Sequence, residues 1–137
     1  MTDHEGALQK AMLAALKADP ALSALVQGRV FDQPGPDAIC PYLALGRCES
    51  RPVAADGGGV EQRLTLTGVS RFDGTEEAKA MAAAVRACLH ETTLEADGVR
   101  TTTLRATFAD VFPAGDRRRT YAVVRLRAVT EEVGEGG

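Results

Sequence analysis

A chain of 137 residues is large enough for one sheet-and-helix core and too small for two independent ones. Its net charge of -3 and pI near 5.4 give no global attraction to nucleic acid or anionic membranes, and no apolar run reaches the ~20 residues of a membrane span. Aromatic residues make up 4% of the chain and Trp is absent, so Leu, Val and Ala must fill the core. With no basic-then-apolar leader at the N-terminus, the expected compartment is a cytoplasm.

Thr2 or Asp3 is placed to cap a first helix with Leu8, Met12, Leu13 and Leu16 as its buried stripe, ending by Asp19-Pro20. Ala21 to Val26 read as a second short helix, with Leu22, Leu25 and Val26 inward and Gly28 as the left-handed residue that closes it. Arg29 to Asp32 form a short extended piece. Pro34, Gly35, Pro36 and Pro41 then hold a surface loop, because the missing amide donors exclude a central strand.

Tyr42 to Arg51 alternate as a strand, Leu43 and Leu45 on one face and Tyr42 and Ala44 on the other, and Pro52 ends it or puts it at an edge. Val53 to Gly59 follow without an apolar anchor. Gly57, Gly58 and Gly59 are each costly to order, which predicts a mobile hairpin tip that is either a plain connection or a loop ordered by a partner.

The rest of the chain is organised around Val60 to Glu91. From Leu64 to Phe72 the even positions carry the bulk, which marks a strand with one wet face. Asp73-Gly74 turns the chain, Thr75 or Asp73 is placed to cap the longest helix, and Glu76 and Glu77 suit its positive end. Ala78, Met81, Ala82, Val85, Cys88 and Leu89 form the apolar stripe. Ala80, Ala83, Ala84 and Ala87 lie off it, either because Ala is the best helix former or because a neighbouring subunit approaches there; Ala83 and Ala87 are therefore candidate interface positions.

Asp97-Gly98 signals a two-residue hairpin turn. Val99 to Phe112 read as a strand with Thr102, Leu104, Ala106 and Phe108 on one side and a bulge near Ala109-Asp110. A polar loop from Pro113 to Arg119 leads to the last strand, Thr120 to Thr130, with Ala122, Val124, Leu126 and Ala128 inside and Arg125 and Arg127 outside. Glu131 to Gly137 read as a solvated tail, so the expected organisation is one domain over residues 1–131 with a flexible end at 132–137. The order of elements implies an α+β domain: a mainly antiparallel sheet of about four to five strands with helices packed on one face.

The residue types argue against catalysis. Gly57-Gly58-Gly59 has no Lys-Ser or Lys-Thr after it and precedes a strand, which excludes a phosphate loop. Cys40, Cys48 and Cys88 lack metal or disulfide spacing and read as small buried hydrophobes, while the two histidines, His4 in an N-terminal tail and His90 at a helix end, suit no nucleophile-base pair. No cofactor or metal is implied. Arg117, Arg118 and Arg119 form the densest charge run. It is either a solvated face or a site for carboxylates or phosphate, and without interleaved aromatics it does not suit base stacking.

The ordered pattern as a whole resembles the tail-terminator, or tail-completion, proteins of long-tailed phages and phage-derived gene transfer agents. The resemblance lies in Ala7-Leu8-Gln9-Lys10 with Leu13 and Leu16, Ala21-Leu22 through Val26, and Gly28-Arg29-Val30-Phe31-Asp32. It continues in Pro41-Tyr42-Leu43-Ala44-Leu45-Gly46, Leu64-Thr65-Leu66, Ser70-Arg71-Phe72 and Glu77-Ala78-Lys79 through Val85-Arg86-Ala87, and closes in Arg119-Thr120-Tyr121 through Ala128. It implies a structural virion protein without catalysis, assembled in the bacterial cytoplasm. The expected form is a ring, usually of six subunits, at the head-proximal end of the tail tube, with the tail-tube protein and the head-completion protein as partners. DNA would pass through its channel without specific binding. The residues alone also leave room for a monomeric ligand-binding or regulatory module. The arginine run is expected to face protein, since guanidinium groups lining a channel would hold the duplex.

Overall fold

A computed structural model describes residues 2–53, 58–71, 74–116 and 118–133. Asp3 starts helix α1 (His4–Ala18), its Oδ1 accepting the Gly6 amide at 2.8 Å. Asp19 ends α1 and starts α2 (Pro20–Val26), where its Oδ2 accepts the Leu22 amide at 3.0 Å and Pro20 occupies the first turn, which needs no donor. Closure of α2 begins one residue earlier than predicted: Gln27 is already left-handed at φ 53, and Gly28 follows at φ 79.

The strands are β1 (Val30–Phe31), β2 (Tyr42–Pro52), β3 (Val60–Ser70), β4 (Glu95–Ala96), β5 (Val99–Pro113) and β6 (Thr120–Glu132), with helix α3 (Glu76–Leu89) between β3 and β4. They form a single sheet in the order β1-β2-β3-β6-β5-β4, antiparallel except for the β1–β2 pair. The count is six instead of the predicted four or five. The difference is β1 and β4, two-residue pieces that each pair with only two residues of the neighbouring strand. The Asp97-Gly98 turn between β4 and β5 has both residues at positive φ, as its sequence predicts.

One face of the sheet is covered. Leu43, Leu66, Leu104, Ala122, Val124, Leu126 and Ala128 pack there against Leu8, Met12 and Leu16 of α1, Leu22 and Val26 of α2, and Met81, Val85 and Leu89 of α3. Leu, Val and Ala fill this core as the composition requires, joined by Met12 and Met81. Gly68 lets α3 approach the sheet, because a Cβ there would lie 2.7 Å from Met81 Cε and 3.3 Å from Leu43 Cδ2. Ala84 joins the buried stripe of α3, contrary to its expected place outside it, whereas Ala80, Ala83 and Ala87 are exposed. Thr75 sits at the α3 N-cap without a side-chain cap bond, and Asp73 lies outside the described residues.

Three further readings are corrected. His4 is not in a tail: it is buried in the first turn of α1, where Nδ1 lies 2.8 Å from Thr130 Oγ1, and Gln62, wholly buried, donates to that same oxygen and to the His4 carbonyl. The cysteines are not buried: Cys48 is exposed and Cys40 and Cys88 are half-buried, although partial burial pushes the Cys48 and Cys88 thiols above their usual range. Strand β6 continues through Glu132, paired with Val99, so Glu131 and Glu132 belong to the sheet and not to a tail. Residues 134–137 lie outside the described range.

The largest correction concerns β5. Its register shifts between Thr101 and Thr103 and again between Ala106 and Phe108, earlier than the predicted bulge. Each extra residue exchanges inside for outside. Leu104 and Ala106 therefore stay over the core, while Phe108 crosses to the opposite face, opposite Arg125.

Candidate functional site

The face of the sheet away from the helices is bare, and alternation along the strands decides what it carries. Each of its residues neighbours a core residue in sequence: Phe31 follows Val30, Tyr42 precedes Leu43, and Tyr121, Val123 and Arg125 interleave with Ala122, Val124 and Leu126. The face has two halves. At the Ser70–Thr120 end a row runs Tyr42, Val69, Tyr121, Phe112 across four strands, with Phe31 against Tyr42 and Phe112 against Tyr121, both ring pairs 5.8 Å apart. Val69 is buried beneath its neighbours, but Phe112 is 38% and Phe108 46% exposed. Every aromatic residue among those described lies on this face.

The other half is ionic. Arg51, Arg63 and Arg127 converge on Glu61, with Arg127 closest at 2.8 Å and 2.9 Å, and the hydrogen bond from Arg127 holds the Glu61 carboxyl below its usual range. Arg47 pairs with Glu49 at 2.8 Å, and Arg105 reaches Glu91 at 3.7 Å. A concavity of about 320 Å³ opens between Arg47, Glu49, Arg63, Thr65, Thr107 and Arg125. Arg125 joins the two halves, its guanidinium 4.8 Å above the Phe108 ring.

This face carries the guanidinium groups of Arg47, Arg51, Arg63, Arg100, Arg105, Arg125 and Arg127 and the carboxylates of Glu49, Glu61, Asp110 and Glu131, with Glu91 and Glu95 at its edge, so its charges are close to balanced.

The residues singled out from the sequence do not come together. Arg118 and Arg119 are exposed in the β5–β6 loop, at the aromatic end of the bare face. The Arg118 amide donates to Asp116 Oδ1 at 3.0 Å, and Arg119 is near enough to Tyr42 to oppose the burial that raises the tyrosine's pKa. Gly58 is exposed at φ 69, while Gly59 is buried at the opposite end of β3, its carbonyl accepting the Val53 amide at 2.9 Å. That places it roughly 40 Å along the strand from Arg119, at ~3.3 Å per strand residue. Ala83 and Ala87 are exposed on α3, across the domain from the bare face. Arg117 and Gly57 lie outside the described residues.

Sequence reasoning missed Phe108, Phe112, Tyr121 and Arg125 as a unit. A signal was present: Tyr121, Val123 and Arg125 occupy the alternate positions of a strand whose other positions are wholly aliphatic. On the helical side, Leu25, Gly74, Glu76, Glu77 and Ala80 line a mainly apolar concavity of about 440 Å³ between α2 and α3, with Glu77 held by the Ser70 hydroxyl at 2.7 Å. Among the described residues no group of three His, Cys, Asp or Glu side chains converges as metal ligands, and no helix is long and apolar enough to cross a membrane.

Residues 10–131 match the model of a family described as tail completion protein gp17. The fold is similar to that of a chain in a solved structure described as the virion of a native gene transfer agent particle. The TM-score is 0.85 at 28% sequence identity, over 96% of this chain and 99% of the other. No curated protein matches the chain.

Proposed function

Because the chain belongs to the tail completion protein gp17 family, we propose that it is a structural virion protein that forms a ring at the head-proximal end of a tail tube. There it stops tube growth and joins the tail to the head. Its partners in this reading are further copies of itself, six in a closed ring, the tail-tube protein and the head-completion protein, with DNA passing through the channel unbound. The observation that carries the reading is the family match across nearly all of the sheet and helices, supported by the likeness to a chain of a gene transfer agent virion. Its role lies in surfaces and not in a reaction. The bare sheet face, with exposed Phe and Arg, has the composition of an interface centre.

Deleting the gene in the producing cell tests this. The expected particles are tails of uncontrolled length alongside filled heads that lack tails, seen by electron microscopy. Joined particles with tails of regular length in the deletion strain would overturn the reading.

A further inference from the structure

We infer that the bare sheet face is the contact by which one copy of this chain grips the next, with Phe108 and Arg125 seated in the acidic concavity between α2 and α3 of the neighbour. The inference rests on the ring reading above and names the surfaces that close the ring. A ring needs a head-to-tail contact, in which two different patches of the same chain meet, and such patches must lie on different sides of the molecule. The two proposed here lie on opposite sides of the two-layer domain, one on the uncovered face of the sheet and the other in the helical layer.

Chemistry pairs them. The favourable partner for a guanidinium left without a carboxylate on this face is an acidic group on another copy. Most of the face's arginines are already engaged by Glu49 and Glu61, but Arg125 has no carboxylate partner among the described residues and is held in place by the Phe108 ring. A fixed guanidinium beside an exposed aromatic is the arrangement that anchors interfaces, because little side-chain freedom is left to lose on binding. The concavity supplies the complement: apolar walls from Leu25 and Ala80 for the ring, and Glu76, exposed and without a cation partner among the described residues, for the guanidinium. Exposed Ala83 and Ala87 continue from Ala80 along α3, with Lys79 and Arg86 exposed beside them.

DNA is the competing occupant of an arginine-rich face. The aromatic half argues against it, since Phe108, Phe112 and Tyr121 lie beside a surface whose guanidinium groups are mostly neutralised within the chain.

The test is charge exchange in the producing cell, with Arg125→Glu, Glu76→Arg and the two together, read as the yield of joined particles. Both positions are on the surface, and thermal melting of the purified variants checks that the fold is kept. Each single reversal is expected to lower the yield at least tenfold, and the double exchange to restore it to within a few-fold of the parent. Single reversals with parental yield, or a double variant no better than the worse single, would overturn the contact. So would single variants that join normally but package or eject DNA abnormally, which would turn the face toward the channel. None of these outcomes touches the ring reading itself, which stands or falls on the deletion phenotype.

Discussion

On the helix-covered face of the sheet, Leu66, Val124 and Leu126 are each 1% exposed, whereas on the reverse face Phe108 is 46% exposed with Arg125 over its ring. Both sets are carried by the same strands, one residue apart. Among the described residues the covered face contains mainly aliphatic side chains, with buried polar groups at Gln62, Ser70, Thr101, Thr120 and Thr130, and its content is what folding requires. The bare face holds large apolar groups that stabilise the isolated fold little, since much of their surface still meets water. That difference separates residues kept for folding from residues available for assembly. Substitutions on the first should change stability and those on the second should change assembly.

The largest effect is expected at Gly68. Leucine there must displace Met81 and Leu43 from contacts that already approach closely, and overpacking of this kind costs about 1–3 kcal/mol or more. Thermal melting should show a large fall in midpoint. A midpoint close to the parent would mean that α3 does not rest on the sheet at Gly68.

Next is Thr130→Val, which removes the oxygen shared by His4 and Gln62 in the covered layer. Leaving buried polar groups unpaired costs about 1–3 kcal/mol, read as a lower denaturant midpoint with an unchanged slope. An unchanged midpoint would show that the inclusion contributes nothing to folding.

These two sites also show how far the sequence could be read. The apolar stripes of α1 and α3, the inward residues of β6 and the Asp97-Gly98 turn were legible because their period is local and each position alternates with a polar one. His4 was not, because the partners that hold it, Gln62 and Thr130, lie 58 and 126 positions away. Phe108 was misplaced because a bulge adds one residue without a strong local mark, and one residue is enough to exchange the faces. The aromatic face was invisible for the same reason: Tyr42, Tyr121 and Phe112 meet only when β2, β3, β6 and β5 are laid side by side. The arginine run was conspicuous in sequence, yet Arg118 and Arg119 are only the rim of a surface whose centre lies in the strands.

A smaller effect is expected from acid. The Arg127 hydrogen bond lowers the Glu61 pKa from 4.5, and the Ser50 hydroxyl likewise lowers that of Glu5. A carboxylate whose pKa is lower in the folded state contributes stability above its unfolded value and loses it as pH falls through the folded one. Stability should therefore decline below about pH 4.5, and Glu61→Gln should flatten that decline. Equal acid profiles for parent and variant would show that the ionic half of the bare face does not act on folding.

The smallest effect on stability is expected at Ala83 and Ala87, where Glu should change the melting midpoint by no more than the roughly 0.5 kcal/mol typical of exposed sites. Joining of heads and tails should nevertheless fall, because these residues flank the acidic concavity. Joining at the parental level would remove this part of α3 from the contact.

A reconstruction of the head–tail junction of an intact particle tests the division between the two faces most directly. The account predicts a closed ring of this chain at the head-proximal end of the tail tube, with Phe108, Arg125 and Tyr121 of each copy buried against the helical side of the next. A ring in which that face is bare to solvent or turned to the DNA, or a junction that lacks the chain, would contradict it.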